Sequence, residues 1–292
     1  MVVYSINDIE KISGVKAHTL RIWEKRYGII QPKRTETNIR YFLDDDLKHV
    51  LNIALINKSG IKISKIAQMP IDEIKRKAAE ISDVDAEHEN QLDSLTLSLL
   101  ELNEFRFNKI VESYISQRGF ETTMLEIIYP LLDKLGLMWL TGSINGAHER
   151  FIRAYIRQKT IAAIDKLETS PQEQLSFLIF LPINEDHELS ILFSQYLIKR
   201  RGFRIINLGL DTSIDHIMDA CSIAKPDYLY TIINDGNIGV TLENYIQKLS
   251  DASNGGQILM SGIQIARHHI KNHDNIHVLS GFTELTQYLE SI

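Results

Sequence analysis

A change of hydrophobic period near Pro171 limits what this chain can fold into more than any other feature. Upstream, from Leu92 to Glu168, apolar residues recur at helical spacing, as in Leu92, Leu95, Leu99 and Leu102. Few Pro or Gly interrupt them. This predicts four helices over roughly 92–102, 104–117, 121–138 and 145–167, packed as a bundle. Downstream, the short apolar runs SFLIFLP, FRIINLG, DYLYTII, QILMSG and IHVLSG alternate with helical stretches. Those stretches begin near His187, Ser213, Val240, Ile263 and Glu284. Five strands alternating with five helices predict a flavodoxin-like, doubly wound parallel sheet. Such sheets bind ligands at the carboxyl ends of their strands. The loops there are NEDHELS, LGLDT, TIINDG, SGIQ and SGF.

The first 70 residues follow a third pattern. Ser5-Ile6-Asn7-Asp8 offers a helix cap, followed by Ile9, Ile12 and Val15 at helical spacing. Gly14 breaks the run, and a second helix is expected from about Lys16 to Tyr27. The stretch GIIQPKRTETNIRYF, rich in turn residues and ending β-prone, reads as a two-stranded wing, and Asp44 to Asn57 returns to helical spacing. From Ile71 to Gln91 the chain is polar and charged, which suggests a helical or flexible linker. The expected organisation is multidomain, α plus α/β. It comprises a winged helix-turn-helix over 1–72, a linker over 73–91, a four-helix bundle over 92–170 and the α/β domain over 171–292.

Charge divides along the same lines. The net charge is −6, yet residues 1–75 hold 13 Lys and Arg against 9 Asp and Glu, +4, which leaves −10 for the rest. Only the N-terminal part suits a polyanion such as nucleic acid. The single cysteine, Cys221, excludes an intramolecular disulfide and any cysteine-rich metal site. The longest apolar run, Leu175 to Ile183, is under half a bilayer span, and MVVYSINDIE has no signal-peptide core. A cytoplasmic protein with no membrane partner is therefore expected. His268, His269 and His273 invite a metal reading, but no cysteine is near and no carboxylate is obviously placed. A solvated helix is the better expectation.

TLRIWEKRYG at residues 19–28, followed by Pro32, Arg34, Arg40 and Tyr41, closely resembles the MerR family of transcription regulators. Their winged helix-turn-helix carries these residue types at these spacings. One departure is Asn38, where the family usually has Gly; Asn tolerates a left-handed backbone. The resemblance implies double-stranded DNA as partner and action as a homodimer or higher homo-oligomer. On the helix, Lys16, His18, Thr19 and Arg21 fall in the first two turns, within reach of base edges or phosphates. On the wing, Arg34, Arg40 and Tyr41 are placed for phosphates or the minor groove. Trp23 and Tyr27 are expected mainly in the core.

A bundle followed by a flavodoxin-like sheet resembles the cobalamin-binding module of methionine synthase. With the MerR-type head in front, the whole chain resembles the CarH/LitR photoreceptor repressors, which bind adenosylcobalamin. The resemblance implies a cobalamin cofactor, and assigns His187 of Glu185-Asp186-His187 as the cobalt ligand. Glu185 would orient the imidazole. Asp211 and Gly262 match further motif positions, Thr231 and Ser261 stand at two more, and Trp139 and Glu149 on the bundle match residues covering the upper face. Five positions depart from the pattern: Ser190 and Ser261 each replace a glycine, Thr231 replaces a serine, Arg150 follows Glu149 where a histidine is usual, and Leu140 follows Trp139 in place of an upper histidine.

The expectation is thus a non-enzymatic, DNA-binding regulator whose C-terminal module senses a cobalamin and couples it to oligomerisation or DNA affinity. Two alternatives stay open: a cofactor-free regulator with a degenerate cobalamin fold, and a corrinoid methyl-transfer protein.

Overall fold

The structure is a computed structural model that describes residues 4–34, 40–81, 88–140, 144–168, 174–235, 239–268, 270 and 275–292. The chain divides into two compact units, Met1–Ile152 and Arg153–Ile292.

The first unit begins with α1 (Ile6–Ser13), closed at its start by a Ser5–Asp8 capping box and at its end by Gly14 in the left-handed region. After this turn comes α2 (Ala17–Ile22), which runs directly into a wider π-helical turn, Trp23–Tyr27. The single helix expected to Tyr27 is therefore continuous but changes pitch at Trp23. A minimal hairpin follows, β1 (Lys33–Arg34) antiparallel to β2 (Arg40–Tyr41). Its tip, including Asn38, lies outside the described residues. Trp23 is buried as expected, whereas Tyr27 is half-buried beneath the Arg26 guanidinium.

Helix α3 (Asp44–Lys58) carries the packing of this unit. Leu47, Val50, Leu51, Ile53, Ala54, Leu55 and Ile56 are all buried. A helix apolar on every side must be covered on every side. Its neighbours are α1, the short α4 (Ile63–Ile66), α5 (Ile71–Ile81) and α6 (His88–Leu100). α5 occupies the stretch read as a linker; Ile74 and Ala78, four residues apart, are buried there. The helical bundle continues with α7 (Glu104–Arg118), α8 (Phe120–Thr123), a second π-helical turn at Met124–Ile128, α9 (Tyr129–Leu140) and α10 (Gly146–Asp165). The division between units falls within α10. Buried Asp93 on α6 ties three helices together: one carboxylate oxygen accepts from Lys58 of α3 and the other from Lys134 of α9, each at 2.8 Å.

The second unit is the five-stranded sheet: β3 (Ser176–Pro182), β4 (Arg204–Thr212), β5 (Tyr228–Ile232), β6 (Gln257–Ser261) and β7 (Ile276–Leu279). Every pair is parallel and the spatial order is β4-β3-β5-β6-β7. This is the flavodoxin-like winding expected. Every residue of β3 and β5 is buried, which is why these strands read as continuous apolar runs rather than alternating ones. One face holds Leu229, Ile233, Ile258 and Met260 against α12 (Ile214–Ala224), α13 (Leu242–Ser253) and Ile265 of α14 (Ile263–Arg267). On the other, α11 (Glu188–Arg200) meets α15 (Phe282–Ser291) through Phe193 and Phe282, whose rings are 5.0 Å apart. The connection after β3 runs one way, to β4, and the connection after β5 runs the other way, to β6. The switch-point crevice therefore opens at the carboxyl ends of β3 and β5.

Asp93 is 3% exposed, so removing its charge leaves two ammonium groups facing each other. We predict that Asp93→Ala destabilises the first unit by about 2 kcal/mol, less than for a fully enclosed pair because Lys58 keeps some solvent. A urea titration followed by proteolysis checks this. Adding Lys58→Met and Lys134→Met should recover part of the loss; an unchanged midpoint for Asp93→Ala contradicts it.

Candidate nucleic-acid interface and ligand site

The helix-turn-helix is built from short-range contacts. Ser13 Oγ donates to the Ile9 carbonyl at 2.6 Å and accepts from Val15 N–H at 3.2 Å, which shapes the turn. Glu10 of α1 caps α2 from outside: one oxygen accepts Ala17 N–H at 2.8 Å and the other pairs with Lys16 at 3.1 Å. The backbone N–H of Ala17, aided by Lys16, holds the Glu10 carboxyl below its usual value. Lys16, His18 and Arg21 are exposed and Thr19 is half-buried. All four predicted helix residues thus retain solvent-facing surface on one short element, while Leu20 points into the core.

The predicted wing residues come together with a residue that sequence reasoning did not single out. Glu24 accepts from Arg34 at 2.7 Å and from Arg40 at 2.6 Å, one carboxylate oxygen each. Burial pushes the Glu24 carboxyl up, but the two guanidiniums outweigh it and leave the group below its ordinary value. Tyr41, half-buried, neighbours Arg40 on β2.

In the second unit, Pro182 ends β3 and Asn184 adopts a left-handed backbone, φ 66°. That turn sends Glu185 inward and leaves His187 at the start of α11 with its side chain half exposed. Glu185 is buried completely and has three donors. Oε2 accepts the backbone N–H groups of Asn234 at 2.6 Å and Asp235 at 2.9 Å, in the loop after β5. Oε1 accepts from His187 Nδ1. Burial raises the Glu185 carboxyl, and His187, Asp235 and Asn234 together bring it below its usual 4.5. The same hydrogen bond is the main reason His187 titrates above its usual 6.5, against the opposing effect of burial. The pair is therefore strongest between these two values. It weakens as pH falls through the lowered Glu185 value, or rises through the raised His187 value. With Glu185 ionised, Nδ1 carries the hydrogen, and the neutral ring presents its lone pair at Nε2.

The neighbouring loops are tied to this one. Asp211, itself left-handed at φ 50°, accepts Asn184 N–H at 3.0 Å. Asn234 accepts Ile263 N–H through its side chain at 2.9 Å, and its carbonyl accepts from Gln264 at 3.1 Å. Gly262 has φ 118°, and a Cβ there would lie 2.3 Å from the Ile233 carbonyl oxygen, so only glycine lets these two loops meet. Ser261 is buried, with its hydroxyl 3.5 Å from that of Tyr230, which also accepts from Ser194 at 2.9 Å. Thr231 is buried, and its hydroxyl has no hydrogen-bond partner among the described residues. An unmet buried hydroxyl is costly and suits a polar atom of a ligand. Asp186 and Glu188, on either side of His187, pair with Arg153 at 3.1 Å and Arg157 at 2.7 Å, one turn apart on α10.

Glu185, His187, Asp211, Thr231, Ser261 and Gly262 thus lie at the carboxyl ends of β3 to β6, as their motif positions required. Asn184, Asn234, Arg153 and Arg157 were missed. Their only trace in the sequence is Asn at strand ends and arginines four apart on a helix. Trp139 and Glu149 belong to the first unit, where Trp139 is 51% exposed at the end of α9 and Glu149 is half-buried in the first turn of α10. Arg150 is exposed, and the side chain of Leu140 lies outside the described residues. Of the three C-terminal histidines, His268 follows α14, 3.6 Å from the Glu243 carboxylate; His269 and His273 lie outside the described residues.

Among the described residues, no three His, Cys, Asp or Glu side chains converge on a point. A bare metal ion needs several protein donors. One oriented imidazole instead fits a metal that arrives with its other ligands attached, and the donor set is compatible with a cobalt corrinoid in that sense.

A winged helix-turn-helix joined to a helical bundle and a switch-point crevice defines a two-module protein with a nucleic-acid-type head. Residues 4–70 match the model of the MerR HTH family regulatory protein, and the N-terminal domain is of that type. The chain is 21% identical over 272 residues to the HTH-type transcriptional repressor CarH of Myxococcus xanthus, covering 91% of this chain and 90% of that one. It is 27% identical over 224 residues to the repressor CarA of the same organism, covering 76% and 73%. Its fold resembles that of a Methanosarcina barkeri monomethylamine corrinoid protein, with a TM-score of 0.56 and 11% identity over 68% of this chain and 96% of that one. No helix among the described residues is long and apolar enough to cross a membrane.

Glu185→Gln removes the charge that raises the His187 value. We predict that the imidazole of the ligand-free protein then titrates at lower pH, measured by NMR of the ring protons. An unshifted midpoint contradicts the assigned pairing.

Proposed function

We propose that the chain is a transcriptional regulator. Its MerR-type head binds double-stranded promoter DNA as a homodimer or higher oligomer. Its C-terminal unit binds a cobalamin, adenosylcobalamin being the form to test first. The observation that carries this reading is His187: a lone imidazole, its Nδ1 held by a buried carboxylate, at the switch-point crevice of a chain that also carries a MerR-type head. The names of the M. xanthus relatives support the regulatory half, and the corrinoid protein's shared fold supports the capacity of the sheet.

His187 would hold the metal through Nε2, and Glu185 would keep the ring in the required tautomer. Thr231 and Ser261 would offer hydroxyls to the ligand's polar periphery. Such a group, when bound, would supply a metal centre capable of ligand exchange. Ligand binding would shift the population between assembly states, and so change DNA affinity. A DNA-binding head has no role in a methyl-transfer carrier, which favours a regulator over an enzyme component.

Purified protein mixed with adenosylcobalamin in the dark should retain its colour through size exclusion. His187→Ala should lose it, and Glu185→Gln should bind roughly 10–100-fold more weakly. Because ligation needs an unprotonated ring, retention should fall as pH drops through the raised His187 value. No retained absorbance leaves the cofactor-free regulator. In a shift assay on the protein's own promoter, Arg21→Ala and Arg40→Ala should weaken binding, and each lost phosphate contact should reduce the salt slope by about 0.9. Variants equal to wild type contradict the DNA-binding assignment.

A further inference from the structure

Arg34 and Arg40 are register partners across the wing hairpin. Like charges directly opposite on an antiparallel pair repel and spread the strands. Between them lies Glu24, in the π-helical turn that continues α2, with one oxygen on each guanidinium and a side chain only 16% exposed. A carboxylate so enclosed, holding two arginines from two strands, is better ordered than a surface ion pair. It also joins two elements that the local chain leaves independent, since its partners are 10 and 16 residues away. One N–H from each five-donor guanidinium suffices for these bonds.

We propose that Glu24 is a positioning residue for DNA recognition. It offsets the repulsion between the wing arginines and fixes both at a set place relative to α2, so that wing and helix meet the duplex in one register. The proposal rests on reading residues 4–70 as a DNA-binding head. It makes an unusual prediction of sign. Removing a negative charge from a DNA-binding surface ordinarily strengthens binding to every duplex. If Glu24 positions the wing, losing its charge weakens binding to the specific site while leaving binding to random duplex unchanged or stronger.

The test compares wild type with Glu24→Gln on the protein's own promoter fragment and on a random duplex of equal length, at one fixed salt concentration. The expected result is a fall of about tenfold in the specific-to-random ratio, arising on the specific arm. A thermal melt monitors folding. The double variant Arg34→Lys, Arg40→Lys keeps the charge, leaves α2 untouched and loses the forked geometry; it should show the same fall. An unchanged ratio in both variants, or tighter binding of Glu24→Gln to both duplexes, overturns the proposal. Absence of a specific complex with wild type instead overturns the reading beneath it.

Discussion

The second unit depends on one carboxylate. Glu185 is enclosed at the end of β3, where an ionised group survives only if its lone pairs are met. Two backbone N–H groups from the loop after β5 and one imidazole meet them. The same side chain thereby closes the switch-point crevice along one side and fixes the orientation of His187. Asp211, near the end of β4, does the parallel task toward the loop after β3, and Asn234 toward the segment after β6. Four strand ends are thus bound into one rim by side-chain-to-backbone hydrogen bonds. At that rim one ring nitrogen of the half-exposed His187 is committed to the protein, and the other carries the lone pair of the neutral ring.

The first unit rests on a different constraint. α3 is apolar on all sides, so the winged head has no closed core without α5 and α6. The head and the bundle helices consequently share a helix rather than meeting across a wet surface. Asp93 adds direction to that packing, because a buried carboxylate between Lys58 and Lys134 is satisfied in only one arrangement. Whatever changes the bundle helices is therefore mechanically close to α1 and the turn that precedes α2.

The sequence revealed most where the physics is local. The period change near Pro171 predicted the sheet because strands buried on both faces are mostly apolar, as β3 and β5 are apart from Ser176 and Thr231. The Ser5 cap, the Ile9 and Ile12 spacing and the break at Gly14 indicated helix-turn-helix, and TLRIWEKRYG added a resemblance to the MerR head. Glu185 and His187 were singled out through the resemblance to the cobalamin-binding motif, whose two-residue separation corresponds here to a hydrogen bond. The rest was hidden because it joins distant segments. Glu24 reaches 10 and 16 residues along the chain, and Glu185 reaches about 50 to the loop after β5. Neither leaves a periodic trace. The polar composition of α5 concealed a helix that needs only Ile74 and Ala78 to anchor it, and the pitch change at Trp23 left the helical pattern intact. Gly262 was chosen for a motif, but its backbone shows a packing reason for glycine that a motif does not state.

The central claim is that one imidazole, oriented by Glu185, is the protein's ligand to a corrinoid metal. Electron paramagnetic resonance of the protein loaded with a cobalt(II) corrinoid tests it most directly, with all histidines labelled with nitrogen-15. Coordination through His187 Nε2 predicts that the three-line nitrogen splitting of each cobalt line becomes two-line on labelling, and that His187→Ala abolishes the change. A splitting pattern indifferent to the label would show that the axial nitrogen, if any, comes from elsewhere, and would contradict the assignment.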